Sequence, residues 1–109
     1  MHAALFSVLG DPVRLEIVEM LAEQERTAGE IASRFAVSGP AVSRHLRVLR
    51  EAGVATYRQE AQRRVYALNP STLNDVEGWA QQLLQQWQTR FEALGRHLDN
   101  VTAKTGDRT

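Results

Sequence analysis

Reactive chemistry has few carriers in this 109-residue chain. There is no cysteine, which removes thiolate nucleophiles, thiolate metal ligands and disulfides together and fits a reducing compartment. The three histidines (His2, His45 and His97) fall on separate predicted segments, and His97 and Asp99, two apart on a helix, point to different sides. No Ser/His/acid grouping can be set on neighbouring faces, and no phosphate-cradling loop is visible. An enzyme is not expected. What the sequence does offer is arginine. From Arg26 to Arg64 there are eight arginines against three acids, a net of +5, whereas Met1 to Glu25 nets −4 and Val65 to Thr109 nets −1. A chain that is neutral as a whole can therefore present a local positive field to an anion. Every basic residue of the middle segment is arginine, the side chain suited to forked contacts with phosphates and guanine edges.

The elements that must position these arginines follow from periodicity. Hydrophobic residues make up 43% and charged residues 24%, the balance of a folded globular domain, and the length allows one. Ala3 to Leu9 reads as a short apolar helix. Asp11-Pro12 is an N-cap followed by proline at the first helical position, and Val13, Ile17, Met20 and Leu21 carry a second helix to about Glu23. Gln24-Glu25-Arg26 breaks it. Thr27 to Glu30 has capping-box spacing and opens a short helix with Ile31, Ala32 and Phe35 inward. Ser38 caps the next helix, Gly39 to about Ala52, and Gly53 is placed to stop it. On that helix Val42, Leu46 and Leu49 fall on one side, with Pro40, Arg44, Arg47 and Glu51 opposite. The pattern is that of a helix-turn-helix.

The period then changes. Val54 to Arg58 and Arg64 to Leu68 read as a two-stranded hairpin with a charged tip, Gln59 to Arg63, which is a wing. Beyond Asn69-Pro70-Ser71, Leu73, Val76, Ala80, Leu83, Trp87, Phe91, Leu94, Leu98 and Val101 recur in threes and fours, close to a heptad seam. Trp79 and Leu84 widen that stripe. A helix over 72–101 would be roughly 45 Å long, more than the core of one small protomer can cover, so a homodimer is expected. The expected interface joins Leu83, Trp87, Phe91, Leu94 and Leu98 with Leu5 of the first helix. The domain organisation is thus one winged helix-turn-helix domain, residues 1–101, with the helix-turn-helix at 27–52, the wing at 54–68 and the dimerisation helix at 72–101. A polar tail, 102–109, follows. No apolar run is long enough to span a membrane, and the N-terminus lacks the pattern of a signal peptide, so the expected location is the cytoplasm.

Leu9-Gly10-Asp11-Pro12-Val13-Arg14-Leu15-Glu16-Ile17, Ser38-Gly39-Pro40-Ala41-Val42-Ser43-Arg44-His45-Leu46 and Leu49-Arg50-Glu51-Ala52-Gly53-Val54 resemble the signatures of the ArsR/SmtB family of bacterial winged-helix transcriptional repressors. The resemblance covers roughly residues 3–100. It implies a mainly α fold with a small β-hairpin, ordered α-α-α-α-β-β-α, dimerised through its terminal helices and bound to double-stranded DNA. It also implies that DNA is read from the second helix of the motif, at Ser38, Gly39, Pro40, Ala41, Ser43 and Arg44. Arg44 can grip a guanine, Arg47 and Arg50 meet phosphate, and Arg63 and Arg64 serve the backbone or minor groove from the wing.

The same resemblance allows a test for metal sensing. A family site built on a Cys-x-Cys pair would fall on Thr27 and Gly29. A second family site, on the last helix, would fall on Asp75 and Glu77 with Gln88 and Phe91 downstream. Neither set can bind as the family requires, and the segment Trp87…Arg90-Phe91-Glu92-Ala93-Leu94 resembles the branch without those ligands. No metal and no cofactor are expected, and a small-molecule effector is left open. The competing reading is a winged helix used for protein interaction without sequence-specific DNA binding. The arginines at 44, 47 and 50 speak against it.

Overall fold

The computed structural model describes residues 2–105, and the side chains of 3–99. The elements run α1 (His2–Leu9), α2 (Pro12–Glu23), β1 (Arg26–Thr27), α3 (Ala28–Ser33), α4 (Gly39–Glu51), β2 (Ala55–Glu60), β3 (Arg63–Leu68) and α5 (Pro70–Thr105). Two compact units meet between Asn74 and Asp75.

In the first unit, helix starts are set by side-chain caps. Asp11 Oδ1 accepts from the backbone N–H groups of Val13 (2.8 Å) and Arg14 (3.1 Å), and Pro12 opens α2. The expected capping box of α3 is complete: Glu30 N–H donates to Thr27 Oγ1 at 3.1 Å, and Thr27 N–H donates to Glu30 Oε1 at 2.9 Å. At the end of α4, Gly53 adopts φ +77. Its N–H bonds to Arg50 O, while Val54 N–H reaches back to Leu49 O, each at 3.0 Å. This is a Schellman stop, and it needs glycine because a side chain resists the left-handed conformation.

The core gathers Ile17, Met20 and Leu21 of α2, Ile31 of α3 and Val42, Leu46 and Leu49 of α4 with Val54, Ala55 and Tyr66 of the wing. Leu5, expected at a dimer interface, packs partly buried against this core.

The sheet has three strands, in the order β1-β3-β2, and not the expected two. Arg26 pairs with Tyr66 and Thr27 with Val65. The added strand is two residues long, too short to show a period. Its cause is the α3 cap: Thr27 must be extended (φ −75, ψ 159) to cap the helix, and extended backbone is what β3 can pair. The wing also differs at its tip. The strands continue through Gln59↔Arg64 and Glu60↔Arg63, leaving the two-residue turn Ala61-Gln62, with Ala61 at φ 57. Arg63 therefore stands on a strand and not in the loop.

Helix α5 is 36 residues long, about 54 Å at 1.5 Å per residue. It starts at Pro70 and continues to Thr105, so 102–105, expected as tail, are helical. The rest of the expected tail, 106–109, lies outside the described residues, as does the side chain of Val101. In the second unit Leu83, Trp87, Phe91, Leu94 and Leu98 are all exposed, Trp87 and Phe91 at 63% and 65%. The Trp87 and Phe91 rings stand 6.5 Å apart, one turn from each other. Among the described residues no helix is long and apolar enough to cross a membrane.

The Asp11 carboxyl is held below its ordinary pKa, chiefly by the Arg14 backbone N–H it accepts from, against a smaller opposing effect of desolvation. A lowered folded-state pKa contributes stability above the unfolded value of 3.8 and loses it as pH falls through the folded value. Asp11→Asn keeps a neutral acceptor at the cap. It should be less stable than the parent near neutrality, with the gap closing in acid. Urea unfolding of both proteins across that range checks this, and a gap independent of pH contradicts it.

Candidate nucleic-acid interface

The exposed face of α4 is made by its buried one. Val42, Leu46 and Leu49 are turned into the core, so Pro40, Ser43, Arg44 and Arg47 are turned out, with Arg50 half-buried in the last turn. Ser38 caps the helix by accepting from Ala41 N–H at 3.3 Å. Gly39 is exposed, and a Cβ placed there would touch nothing within 4 Å. Gly39, Pro40 and Ala41 carry no side-chain donor.

Between α4 and the wing lies an open groove of about 490 Å³. Pro40, Ser43, Arg44, Arg47 and Arg50 line it from the helix, and Arg64 and Tyr66 line it from β3. Six of the ten residues expected to meet DNA are thereby brought to one surface. Ser38, Gly39 and Ala41 stay at the start of α4, outside the lining. Arg63 lines a neighbouring cleft with Thr27, Gly29, Gln59 and Gln62, which Arg64 also borders.

Charge pairing sorts the arginines further. Arg58 donates to Glu25 at 2.8 Å and to Glu60 at 3.1 Å, and these carboxylates hold its pKa above the ordinary arginine value. Arg63 stands 3.9 Å from Glu60, Arg34 3.6 Å from Glu16 and Arg26 3.1 Å from Glu23. Arg44, Arg47, Arg50 and Arg64 have no carboxylate partner among the described residues. Of the eight arginines of 26–64, the four without a carboxylate partner among the described residues are thus the four that line the groove, a field suited to a polyanion.

One further group touches the groove arginines, and sequence reasoning missed it. The Tyr57 ring lies 5.1 Å from the Arg50 guanidinium and 4.8 Å from that of Arg64, with the Tyr66 ring 5.5 Å away on the same neighbouring strand, β3, that carries Arg64. The available signal was parity: Tyr57, Tyr66 and Arg64 share one face of a hairpin whose register places Tyr57 opposite Tyr66. His45 is half-buried and lies outside the groove lining. Its Nδ1 is 3.2 Å from an Arg14 guanidinium nitrogen and 4.0 Å from Asp11, while Arg14 Nε donates to Val8 O at 2.6 Å. His45 thus ties α4 to the start of α2. No group of three potential ligands able to hold a metal ion occurs among the described residues.

A capped helix pair, an outward basic face on the second helix and a hairpin closing one side define a winged helix-turn-helix protein. Comparison with known proteins gives the family. A model of the bacterial regulatory proteins of the arsR family matches residues 11–57. The chain is 36% identical to the transcriptional repressor SdpR of Bacillus subtilis, over 69% of this chain and 83% of that protein. It is 32% identical to the arsenical resistance operon repressor of Escherichia coli, over 86% and 81%. Among solved structures, an ArsR-like transcriptional regulator from Rhodococcus superposes with a TM-score of 0.73 at 26% identity, covering 84% of this chain and 87% of that one. The chain belongs to the ArsR family, a family of transcriptional regulators and not of enzymes, and the fold class read from the sequence stands apart from its extra strand.

The pairing pattern carries an electrostatic expectation. On immobilised heparin, Arg47→Gln should elute at clearly lower salt than the parent, because it removes an uncompensated charge from the groove. Arg58→Gln, which also releases two carboxylates on the far face of the wing, should shift elution less. Equal shifts for the two variants would mean that the groove is not where the polyanion sits.

Proposed function

We propose that this protein is a DNA-binding transcriptional repressor that acts as a homodimer on a pseudo-palindromic operator and regulates its own promoter. The observation that carries the reading is the convergence of Arg44, Arg47, Arg50 and Arg64, none carboxylate-paired among the described residues, on one groove beside α4. The repressor role is supported by the similarity to SdpR and to the arsenical resistance operon repressor, both named as repressors. In this reading residues 1–101 act as one winged-helix domain. The outer face of α4 enters the major groove, Ser43 and Arg44 meet base edges, and Arg47 and Arg50 meet phosphate. Ser38, Gly39, Pro40 and Ala41 lie along the approach of the helix start to the DNA, and Arg63 and Arg64 hold the adjacent backbone from the wing. A protein-interaction module would have no use for a row of uncompensated arginines.

The homodimer rests on the exposed stripe Leu83, Trp87, Phe91, Leu94 and Leu98, which a second copy of the same helix would cover. Leu5 would join it at the edge of α1. Two half-sites about one DNA turn apart then follow from the twofold symmetry. Nuclease protection on the DNA upstream of the protein's own gene tests the whole reading: a protected, pseudo-palindromic stretch is expected.

Two variant series divide the roles. Arg44→Ala should cost about 1–3 kcal/mol on the protected sequence and much less on random DNA, lowering the specificity ratio. Arg64→Ala should weaken both and flatten the dependence of log affinity on log salt by about one unit. A salt series on both DNAs decides; loss of sequence preference in Arg64→Ala with preference kept in Arg44→Ala would reverse the assignment. For assembly, Leu94→Asp places a charge in the stripe and should weaken dimerisation and DNA binding together. Light scattering checks it, and a monomeric parent at micromolar concentration contradicts the dimer.

A further inference from the structure

We propose that Tyr57 is a positioning residue for the DNA backbone: its ring holds the guanidinium groups of Arg50 and Arg64 together as one two-pronged phosphate clamp. The proposal rests on the DNA-binding reading above and adds a residue and a role to it. Arg50 comes from the last turn of α4 and Arg64 from the first part of β3, so nothing in the chain path brings them together. What they share is the Tyr57 ring, 5.1 Å and 4.8 Å away. Two like charges gathered at one ring repel each other, and neither has a carboxylate partner among the described residues to offset that repulsion. The attraction of each cation for the aromatic face supplies part of the balance, and an anion between the prongs supplies the rest.

The ring is itself well fixed. Tyr57 lies opposite Tyr66 in the ladder, with the ring centroids 5.5 Å apart, and Tyr66 is buried at 5% exposure. A long arginine side chain otherwise loses rotamer freedom when it grips a ligand, and a platform that has already ordered it lowers that loss. The neighbouring arginine makes the contrast. Arg58, one residue along and on the opposite face of the strand, is neutralised by Glu25 and Glu60. One face of the wing is thus closed by carboxylates, and the other keeps its cations open beside the groove. Phosphodiester backbone is the chemistry that fits: anionic, repeating and indifferent to sequence.

The test uses the full chain, a random-sequence duplex and a salt series. Tyr57→Phe keeps the ring, and Tyr57→Leu and Tyr57→Met remove it at a site that is more than one-third exposed. Tyr57→Phe should bind as the parent does. Tyr57→Leu and Tyr57→Met should lose roughly fivefold in affinity and flatten the salt dependence by about one unit. In an Arg50→Ala/Arg64→Ala background, removing the ring should change nothing further, because there is nothing left to position. A ring loss that leaves the salt slope unchanged, or that weakens binding equally in the double-alanine background, overturns the role of Tyr57 while leaving DNA binding intact. A parent protein with no salt-dependent affinity for the duplex overturns the DNA reading and the clamp with it. A DNA-free check separates the two: ring-current shifts at the Arg50 and Arg64 guanidinium protons should be present in the parent and in Tyr57→Phe and absent from Tyr57→Leu.

Discussion

Val42, Leu46 and Leu49 are withdrawn from solvent to 1%, 2% and 0% exposure, and together they fix the rotation of α4 about its own axis. Their partners are Ile17, Met20 and Leu21 from α2, Ile31 from α3 and Val54 at the root of the wing. A helix locked by three successive turns of its inner face has no freedom to choose what it shows outside. Ser43, Arg44 and Arg47 face the groove because the positions between them are spent on the core. Burial in this small unit is thus also the means by which charge is aimed.

A second layer of selection acts on the arginines themselves. The middle of the chain is rich in them, yet carboxylates remove most of those that face away from the groove. Glu16, Glu23, Glu25 and Glu60 each stand beside an arginine at the end of α3, in β1 or in the wing. Exposed pairs of this kind add little to stability. Their effect lies elsewhere, in narrowing a broad basic segment to one directed surface.

Much of this was legible in the sequence, and the reasons differ by element. The Thr27–Glu30 capping box, the Asp11-Pro12 start and the Gly53 stop are local devices whose residues state their own geometry. The inner and outer faces of α4 follow from a period that thirteen residues suffice to show. Strand β1 was not legible, because it is a by-product of a helix cap pairing with a strand about forty positions later in the chain. The length of the wing strands was misjudged for a related reason. Gln59, Glu60 and Arg63 are polar and look like a loop, but a ladder exposed on its outer side accepts polar side chains freely, and the left-handed turn falls on Ala61 and not on a glycine. Of the groove, the helix side could be read, and strand parity sets Tyr57 on the face of Arg64, but the contact of Tyr57 with Arg50 could not be read, since it joins the wing to α4.

The carbonyl of Gly53 is a junction of a different sort. It accepts from Thr72 Oγ1 at 2.6 Å and from Asn69 Nδ2 at 2.9 Å, while Asn69 N–H donates to Val54 O at 2.9 Å. The same glycine ends α4, begins the approach to β2 and is gripped by the first turn of α5. Any movement of that turn must either break two hydrogen bonds to one oxygen or drag the oxygen along. The second course tilts the last turn of α4 and the root of the wing as one piece. A pull on the opening residues of α5 would therefore be transmitted to Arg50 through a linkage three residues long, with no need for the core to repack.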